Sequence, residues 1–233
     1  DKPLQYVSFG ILNKETGTVT DINGKFALHS KEEFANDTIR ISSIGYKTVE
    51  ILVKDLMLKK QPVSIKLKEQ INELDEVVIT AKEFKKKILG NETESKFMST
   101  AFSYDQLGAE MGVKINIRKK PTFADTFNFN ISYNRLSAKS IFRINFYSVE
   151  NNKPHENILT ENILVPIEPK QVGKITIDLK PYNIVLNNDV IVTLEWVASD
   201  GENNNGEAIF FSIGMFNSGT LYNKSCQAEF END

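Results

Sequence analysis

Hydrophobic and polar residues alternate along most of this chain in short runs. In FNFNISYN, Phe127, Phe129, Ile131 and Tyr133 interleave with Asn128, Asn130 and Ser132. That is the period-two signature of a strand with one face on a core and the other in water. SIFRINFYSV sets Phe142, Ile144, Phe146 and Ser148 against Ile141, Arg143, Asn145 and Tyr147, and VIVTLEWV puts Val190, Val192, Leu194 and Trp196 on one face. LQYVSFGIL, TIRISSIGYKTVEILV, VSIKLK, VKINIR, KITIDL, AIFFSI and LYNKSCQAEF read the same way, while EVVITA is short and wholly apolar. No stretch carries the 3.6-residue period of a long helix, so the pattern predicts an all-β protein.

The alternation stops once. AKEFKKKILGNETESK, residues 81–96, is charged and holds a Gly-Asn pair, which reads as a linker. Its lysine run is short and reads as a solvated connector. Residues 1–80 are therefore expected to form one β-stranded part. Residues 97–233, with about eight or nine turn-bounded strands, are expected to form a larger jelly-roll-like antiparallel β-sandwich.

GTVTDINGKFAL, residues 17–28, packs Asp21, Asn23 and Gly24 between two β-prone runs. An EF-hand loop needs a longer fixed register of oxygen ligands. Asn-Gly supplies the positive φ of a tight turn, and an aspartate caps such turns through its carboxylate. The stretch is expected to be a hairpin, with Val19, Phe26 and Leu28 as core contacts.

Composition narrows the function classes. The 233 residues are 40% hydrophobic and 25% charged, with a net charge of −3. No polybasic stripe is present, which argues against nucleic acid as a partner. No apolar run approaches the roughly 20 residues of a membrane-spanning helix. The charged start at Asp1 reads as a mature or trimmed N-terminus. Cys226 is the one cysteine, so no internal disulfide forms, a usage compatible with cytoplasm or with a bacterial envelope.

Three motifs in order carry a resemblance: Gly-Thr-x-Thr-Asp-x-x-Gly-x-Phe at Gly17–Phe26, Ile44-Gly45-Tyr46, and Leu74-Asp75-Glu76-Val77-Val78-Ile79. Together they make the first 80 residues similar to the carboxypeptidase regulatory-like domain. This is a small transthyretin-like β-sandwich of Gram-negative envelope proteins, often placed ahead of the plug of TonB-dependent transporters. The resemblance implies a periplasmic or outer-membrane location and a non-catalytic module. The family pattern begins with one more strand ahead of Pro3-Leu4, which is missing here. Either the chain has been trimmed inside the domain, or another chain supplies the pairing edge, since an unpaired edge invites association. The remainder looks similar to a β-sandwich that comes after this domain in many envelope proteins, and it is too short for a transporter barrel.

Candidate chemistry is sparse. His29 and Glu32 form a His-x-x-Glu pair, with His155 as a third possible zinc ligand. A zinc peptidase needs such ligands to converge with an open position, and the expected fold lacks the helices that enzyme would use. Asp200–Glu207, DGENNNGE, is the most polar loop and offers oxygens for a structural calcium, without recognisable ligand spacing. Trp196 reads as core. In the alternative it is a sugar-stacking platform, helped by Tyr147 or Tyr182, with Asn128, Asn130 and Asn145 binding hydroxyls. Glu32-Glu33 and Asp75-Glu76 are adjacent, so in extended chain they point apart. A glycosidase needs two carboxylates across a cleft. Cys226 has no identifiable base. The sequence therefore favours a non-catalytic envelope binding or adaptor module, with an envelope protein or a glycan as partner. A carbohydrate-binding C-terminal sandwich is the alternative, and a metallopeptidase or glycosidase the lesser one.

Overall fold

The computed structural model describes residues 2–14, 16–59, 62–70, 85–201, 204–214, 221–224 and, for the backbone alone, 231–232. The motif at residues 74–79, Cys226 and residues 202–203 of the polar loop lie outside this set. The protein is mostly β.

The N-terminal sheet has four antiparallel strands: β1 (Ser8–Ile11), β2 (Gly17–Val19), β3 (Thr38–Ser42) and β4 (Val49–Leu52), in the order β2-β1-β3-β4. A five-residue helix, α1 (Val53–Met57), comes directly after β4. Val7, Phe9, Ile11, Ile39 and Ile41 bury one face of this sheet beneath Phe26, Leu28, Val63, Ile65 and Leu67. Phe26 stacks on Phe9 with ring centroids 4.2 Å apart. The segments holding Phe26–Leu28 and Val63–Leu67 alternate in burial as expected. They belong to no named strand, and the bridge Tyr46↔Glu69 joins only the end of the second to the Gly45 turn.

The turn at Asp21 has the expected chemistry. Asp21 Oδ1 accepts hydrogen bonds from the amides of Asn23 and Lys25, each 2.8 Å. Those amide contacts, Lys25 first, hold the carboxyl below its ordinary range. Gly24 sits at φ +71°, and a Cβ there would lie 2.9 Å from Pro3 Cβ, so the turn demands glycine twice over. One expectation fails: Val19 does not share a core with Phe26 and Leu28. It pairs with Ser8 and faces away, joining Tyr6 and Val197 in a separate cluster.

From residue 99 the chain builds β5 (Ser99–Ser103), β6 (Glu110–Ile115), β7 (Thr122–Phe123), β8 (Thr126–Asn134), β9 (Ser140–Glu150), β10 (Lys153–Asn157), β11 (Ile163–Ile167), β12 (Gly173–Asp178), β13 (Val185–Leu186), β14 (Val190–Ser199), β15 (Ala208–Ser212), β16 (Leu221–Lys224) and β17 (Glu231–Asn232). One sheet runs β10-β9-β14-β6-β16-β17, with β11 also on β9. A second runs β12-β8-β15-β5, and β7 and β13 form a small pair. β10 pairs with the C-terminal half of β9 and β11 with its N-terminal half, which curls the larger sheet. The two larger sheets enclose one core that includes Phe102, Ile131, Phe142, Ile144, Trp196 and Phe211. Trp196 is 0% exposed and stacks on Phe142 at 5.8 Å. Its Nε1 donates to the Ala198 carbonyl at 2.9 Å.

Two departures from simple alternation matter. The register between β8 and β15 shifts between Phe210 and Phe211, with Tyr133 opposite Phe210 and Ile131 opposite Phe211. The extra residue, Ser132, is a bulge that re-aims the next side chain. Tyr133 therefore lies on the outer face, 46% exposed, while Ser132 is buried. The second departure concerns the outer face of β9 and β14, which is covered rather than wet. Residues 85–96, the described part of the expected linker, form no regular element. They lie along the sandwich, with Lys86 Nζ 2.8 Å from Asp125 and the Ser95 carbonyl accepting from Ser212 Oγ.

Among the described glycines, Gly112 leaves a side chain the least room. A Cβ there would lie 2.2 Å from the Val192 carbonyl oxygen and 2.6 Å from Thr193 Cα, and backbone cannot step aside as a flexible side chain does. Gly112→Ala is expected to lower stability by about 3 kcal/mol, read as a reduced midpoint of chemical denaturation with unchanged m-value.

Candidate functional site

Among the described residues, a group of buried charged and polar side chains lies on the outer face of the curled sheet, where the N-terminal sheet covers it. Strand pairing places Arg143, Glu195, Glu110 and Lys224 side by side across β9, β14, β6 and β16. Arg143 is 3% exposed, Glu195 2% and Glu110 1%. Arg143 uses all five of its donors. Nε and Nη2 both reach Glu195 Oε2, at 3.0 and 2.6 Å. Nη2 also reaches Ser8 Oγ at 2.9 Å. Nη1 donates to the Tyr6 carbonyl at 2.8 Å and to Asn162 Oδ1 at 3.2 Å. Ser8 Oγ in turn donates to Glu195 Oε1 at 2.6 Å. Tyr6 sits at φ +57°, a conformation that costs a bulky residue energy, and its carbonyl is one of the groups Arg143 holds.

Glu110 completes the network. Asn145 Nδ2 bridges the two carboxylates, 2.7 Å from Glu110 Oε1 and 3.0 Å from Glu195 Oε2. Thr193 Oγ1 makes a short hydrogen bond to Glu110 Oε1. Tyr147 donates to Oε2 at 3.2 Å and Lys224 Nζ lies 3.4 Å from it. Apolar side chains rim the network: Tyr6 and Val19 from the N-terminal sheet, and Leu107, Ile141, Leu164, Val197 and Ala198 from the sandwich.

The two carboxylates differ electrostatically. Burial would raise Glu195, but the Arg143 guanidinium, then Lys224 and the Ser8 hydroxyl, bring it down to about 2. For Glu110 burial dominates and Glu195 adds repulsion. Lys224 opposes both, and the pKa remains above the ordinary value. Tyr147 is pushed well above its usual range by burial and by the two carboxylates. A carboxyl pair with divergent pKa values is the polarity of an acid/base pair. Here both groups are sealed from solvent and saturated by protein donors, so the arrangement acts as a clamp between sheets.

The sequence-predicted sugar-binding residues are not brought together. Trp196 is inside the core. Asn145 is buried in the charge network and Tyr147 is bound to Glu110. Asn130 is buried, its amide donating to Ser212 Oγ at 2.8 Å. Tyr182 is half-buried against the core, and Asn128 alone of the six is exposed; it accepts from Thr176 Oγ1 at 2.7 Å. The exposed aromatic residue on that outer face is Tyr133, packed edge-on against its neighbour Phe210 with Lys96 5.6 Å above its ring.

His29 and Glu32 lie in the N-terminal part. His155 lies on β10, with Nδ1 3.2 Å from Glu150. Among the described residues no group of three or more His, Cys, Asp or Glu side chains is arranged to hold a metal ion. In the polar loop, Glu207 accepts from the Ser137 amide and from Asn204. The Arg143 network is legible in the sequence only indirectly. Ile141, Ile191 and Val197 on the same outer face make it too apolar for water.

Residues 1–79 match the model of the CarboxypepD_reg-like domain, and the rest of the chain has no family assignment. Such domains are generally non-catalytic and occur typically in bacterial envelope proteins. No curated protein and no solved structure matches the chain.

Opposite pH dependences are expected at the two glutamates. Glu195→Gln leaves Arg143 buried without its countercharge and is expected to cost about 3–5 kcal/mol. Glu195 has a depressed folded pKa, so its contribution is complete above the unfolded value near 4.5 and is lost as pH falls from there toward about 2. Glu110 has a raised folded pKa, so its ionisation erodes stability as pH climbs from the unfolded value through the folded one. Glu110→Gln is therefore expected to cost less than Glu195→Gln, with a cost that shrinks as pH rises. Urea unfolding of both variants between pH 3 and 8 reads the two slopes.

Proposed function

We propose that this chain is a non-catalytic binding or adaptor module of the bacterial cell envelope. Its CarboxypepD_reg-like portion and its C-terminal sandwich are held at one fixed angle to present a composite surface. The observation that carries this reading is the Arg143–Glu195–Ser8–Tyr6 clamp. It commits a fully satisfied buried ion pair to joining the two parts and leaves none of its groups open to a substrate. The partner is an envelope protein or an envelope glycan.

A second reading, glycan binding by the sandwich, is favoured by the outer face of the β12-β8-β15-β5 sheet. There Tyr133 is half-exposed near the end of β8, and Asn128 and Thr176 form an exposed polar pair nearer its start. Aromatic rings pack on the apolar side of sugars while amides and hydroxyls bind their hydroxyl groups.

Fractionation of cells carrying the tagged native protein, followed by crosslinking, tests the first reading. The chain is expected in the envelope fraction, joined to a reproducible partner. Recovery from the cytosol, or zinc-dependent peptide hydrolysis by the purified protein, overturns it. On a glycan array the second reading expects binding that Tyr133→Ala and Asn128→Ala abolish. An array empty for the wild type rejects it.

A further inference from the structure

The β12-β8-β15-β5 sheet ends on β12, and this edge is built differently from the others. A row of unpaired N–H and C=O groups recruits another chain, and natural sheets blunt it with very short strands, prolines, bulges or charged side chains, the last of which a strand of complementary charge order turns into contacts. β2 has three residues and β17 two. β10 carries Pro154 and a register shift between Pro154 and Asn157, and β11 carries Pro166. β4 runs directly into α1. β5 is free of these devices but is uncharged, with the sequence STAFS. β12 is six residues long, GKITID, has no proline and pairs with β8 from Gly173 to Asp178 without a break. Among the described residues its second edge pairs with no strand. At its entry Gly173 has φ +98°, and a Cβ built there meets nothing within 4 Å, so the approach is open.

Its side chains are self-complementary. Lys174, Thr176 and Asp178 are exposed on the outer face, and Ile175 and Ile177 are half-buried at the rim of the core. Asp178 Oδ1 accepts from the Lys180 amide at 3.1 Å, which fixes the carboxylate at the strand end. Consider two copies of β12 laid antiparallel about a two-fold axis through Thr176. Lys174 of each then stands opposite Asp178 of the other, Ile175 stands opposite Ile177, and Thr176 meets its own copy. Opposite charges, β-branched pairs and paired threonines are the favoured cross-strand neighbours, and a two-fold contact of this kind closes on itself. We propose that β12 is a homodimerisation edge, at which a second copy of this chain joins the two four-stranded sheets into one continuous antiparallel sheet. A foreign strand would need the same charge order reversed in direction, which β12 itself supplies. The proposal does not depend on the ligand or location of the protein.

Sedimentation velocity on the whole chain tests it with charge reversals. The wild type is expected to pass from monomer to dimer as concentration rises. Lys174→Asp places aspartate against aspartate twice, Asp178→Lys places lysine against lysine twice, and each variant is expected to sediment as a monomer. An equimolar mixture of the two variants restores both opposite-charge pairs and is expected to recover a dimer containing one of each. A wild type that stays monomeric up to its solubility limit overturns the proposal. So does a dimer that survives in both single variants. So does a mixture that stays monomeric while each variant keeps the wild-type circular dichroism spectrum.

Discussion

The arrangement of this protein turns on one guanidinium. Arg143 is taken out of water between two sheets, at a cost of several kcal/mol before any partner is counted. That cost is met because every one of its donors finds an oxygen: two share Glu195 Oε2, and one each goes to Ser8, Tyr6 and Asn162. Two of these acceptors belong to the N-terminal sheet or its lead-in. The sandwich therefore cannot satisfy its own arginine, and the N-terminal part is needed to complete it. The same demand explains why β9 and β14 are buried on both faces. Their inner residues, Phe142 and Trp196 among them, pack against Phe102 and Phe211, and their outer ones are sealed by Tyr6, Ser8 and Val19.

Period-two alternation makes the strands legible from the sequence, because it reports which residues share a face. Val190, Val192, Leu194 and Trp196 do share the core face, and Phe142, Ile144 and Phe146 oppose Arg143, Asn145 and Tyr147 as their spacing says. What alternation does not report is what covers each face. On a one-sided sheet the polar residues of SIFRINFYSV and VIVTLEWV would sit in water, and they are instead among the best-buried groups in the protein. A second loss of information arises where parity changes. The bulge at Ser132 is invisible in FNFNISYN because serine reads as an ordinary polar position. One extra residue transfers Tyr133 from core to surface and so moves the exposed aromatic away from where Trp196 suggests it.

The small N-terminal core shows the same limit from the other side. Spacing marks Phe26, Leu28, Val63, Ile65 and Leu67 as core-facing, and they are. Their segments nonetheless lie outside the named strands, since burial follows from hydrophobicity while a ladder needs a neighbour in register. Val19 and Phe26 flank one turn, which suggests a shared core. The pairing of Val19 with Ser8 puts it instead on the face that meets the sandwich. The turn itself is fully legible. Asp21, Asn23 and Gly24 act within five residues of one another, and local hydrogen bonding of this kind needs no knowledge of the rest of the fold.

The charge network also separates two properties that commonly travel together. Glu110 and Glu195 sit side by side with pKa values pushed in opposite directions, a feature that marks many active sites. Here the divergence follows from unequal shares of positive charge. Glu195 holds Arg143 directly, while Glu110 has Lys224 at 3.4 Å and otherwise neutral donors from Thr193, Asn145 and Tyr147. An apolar contact between the sheets would exclude water equally well, but it tolerates sliding, since dispersion and burial vary smoothly with position. Five directed hydrogen bonds from one planar group do not. A shift of one residue in β1 would exchange Ser8 for Val7 or Phe9 opposite the guanidinium and leave a buried charge without its acceptors. The polar clamp thus fixes the relative register of the two parts, and the apolar rim of Val19, Leu164 and Val197 keeps the clamp dry enough for that selectivity to hold.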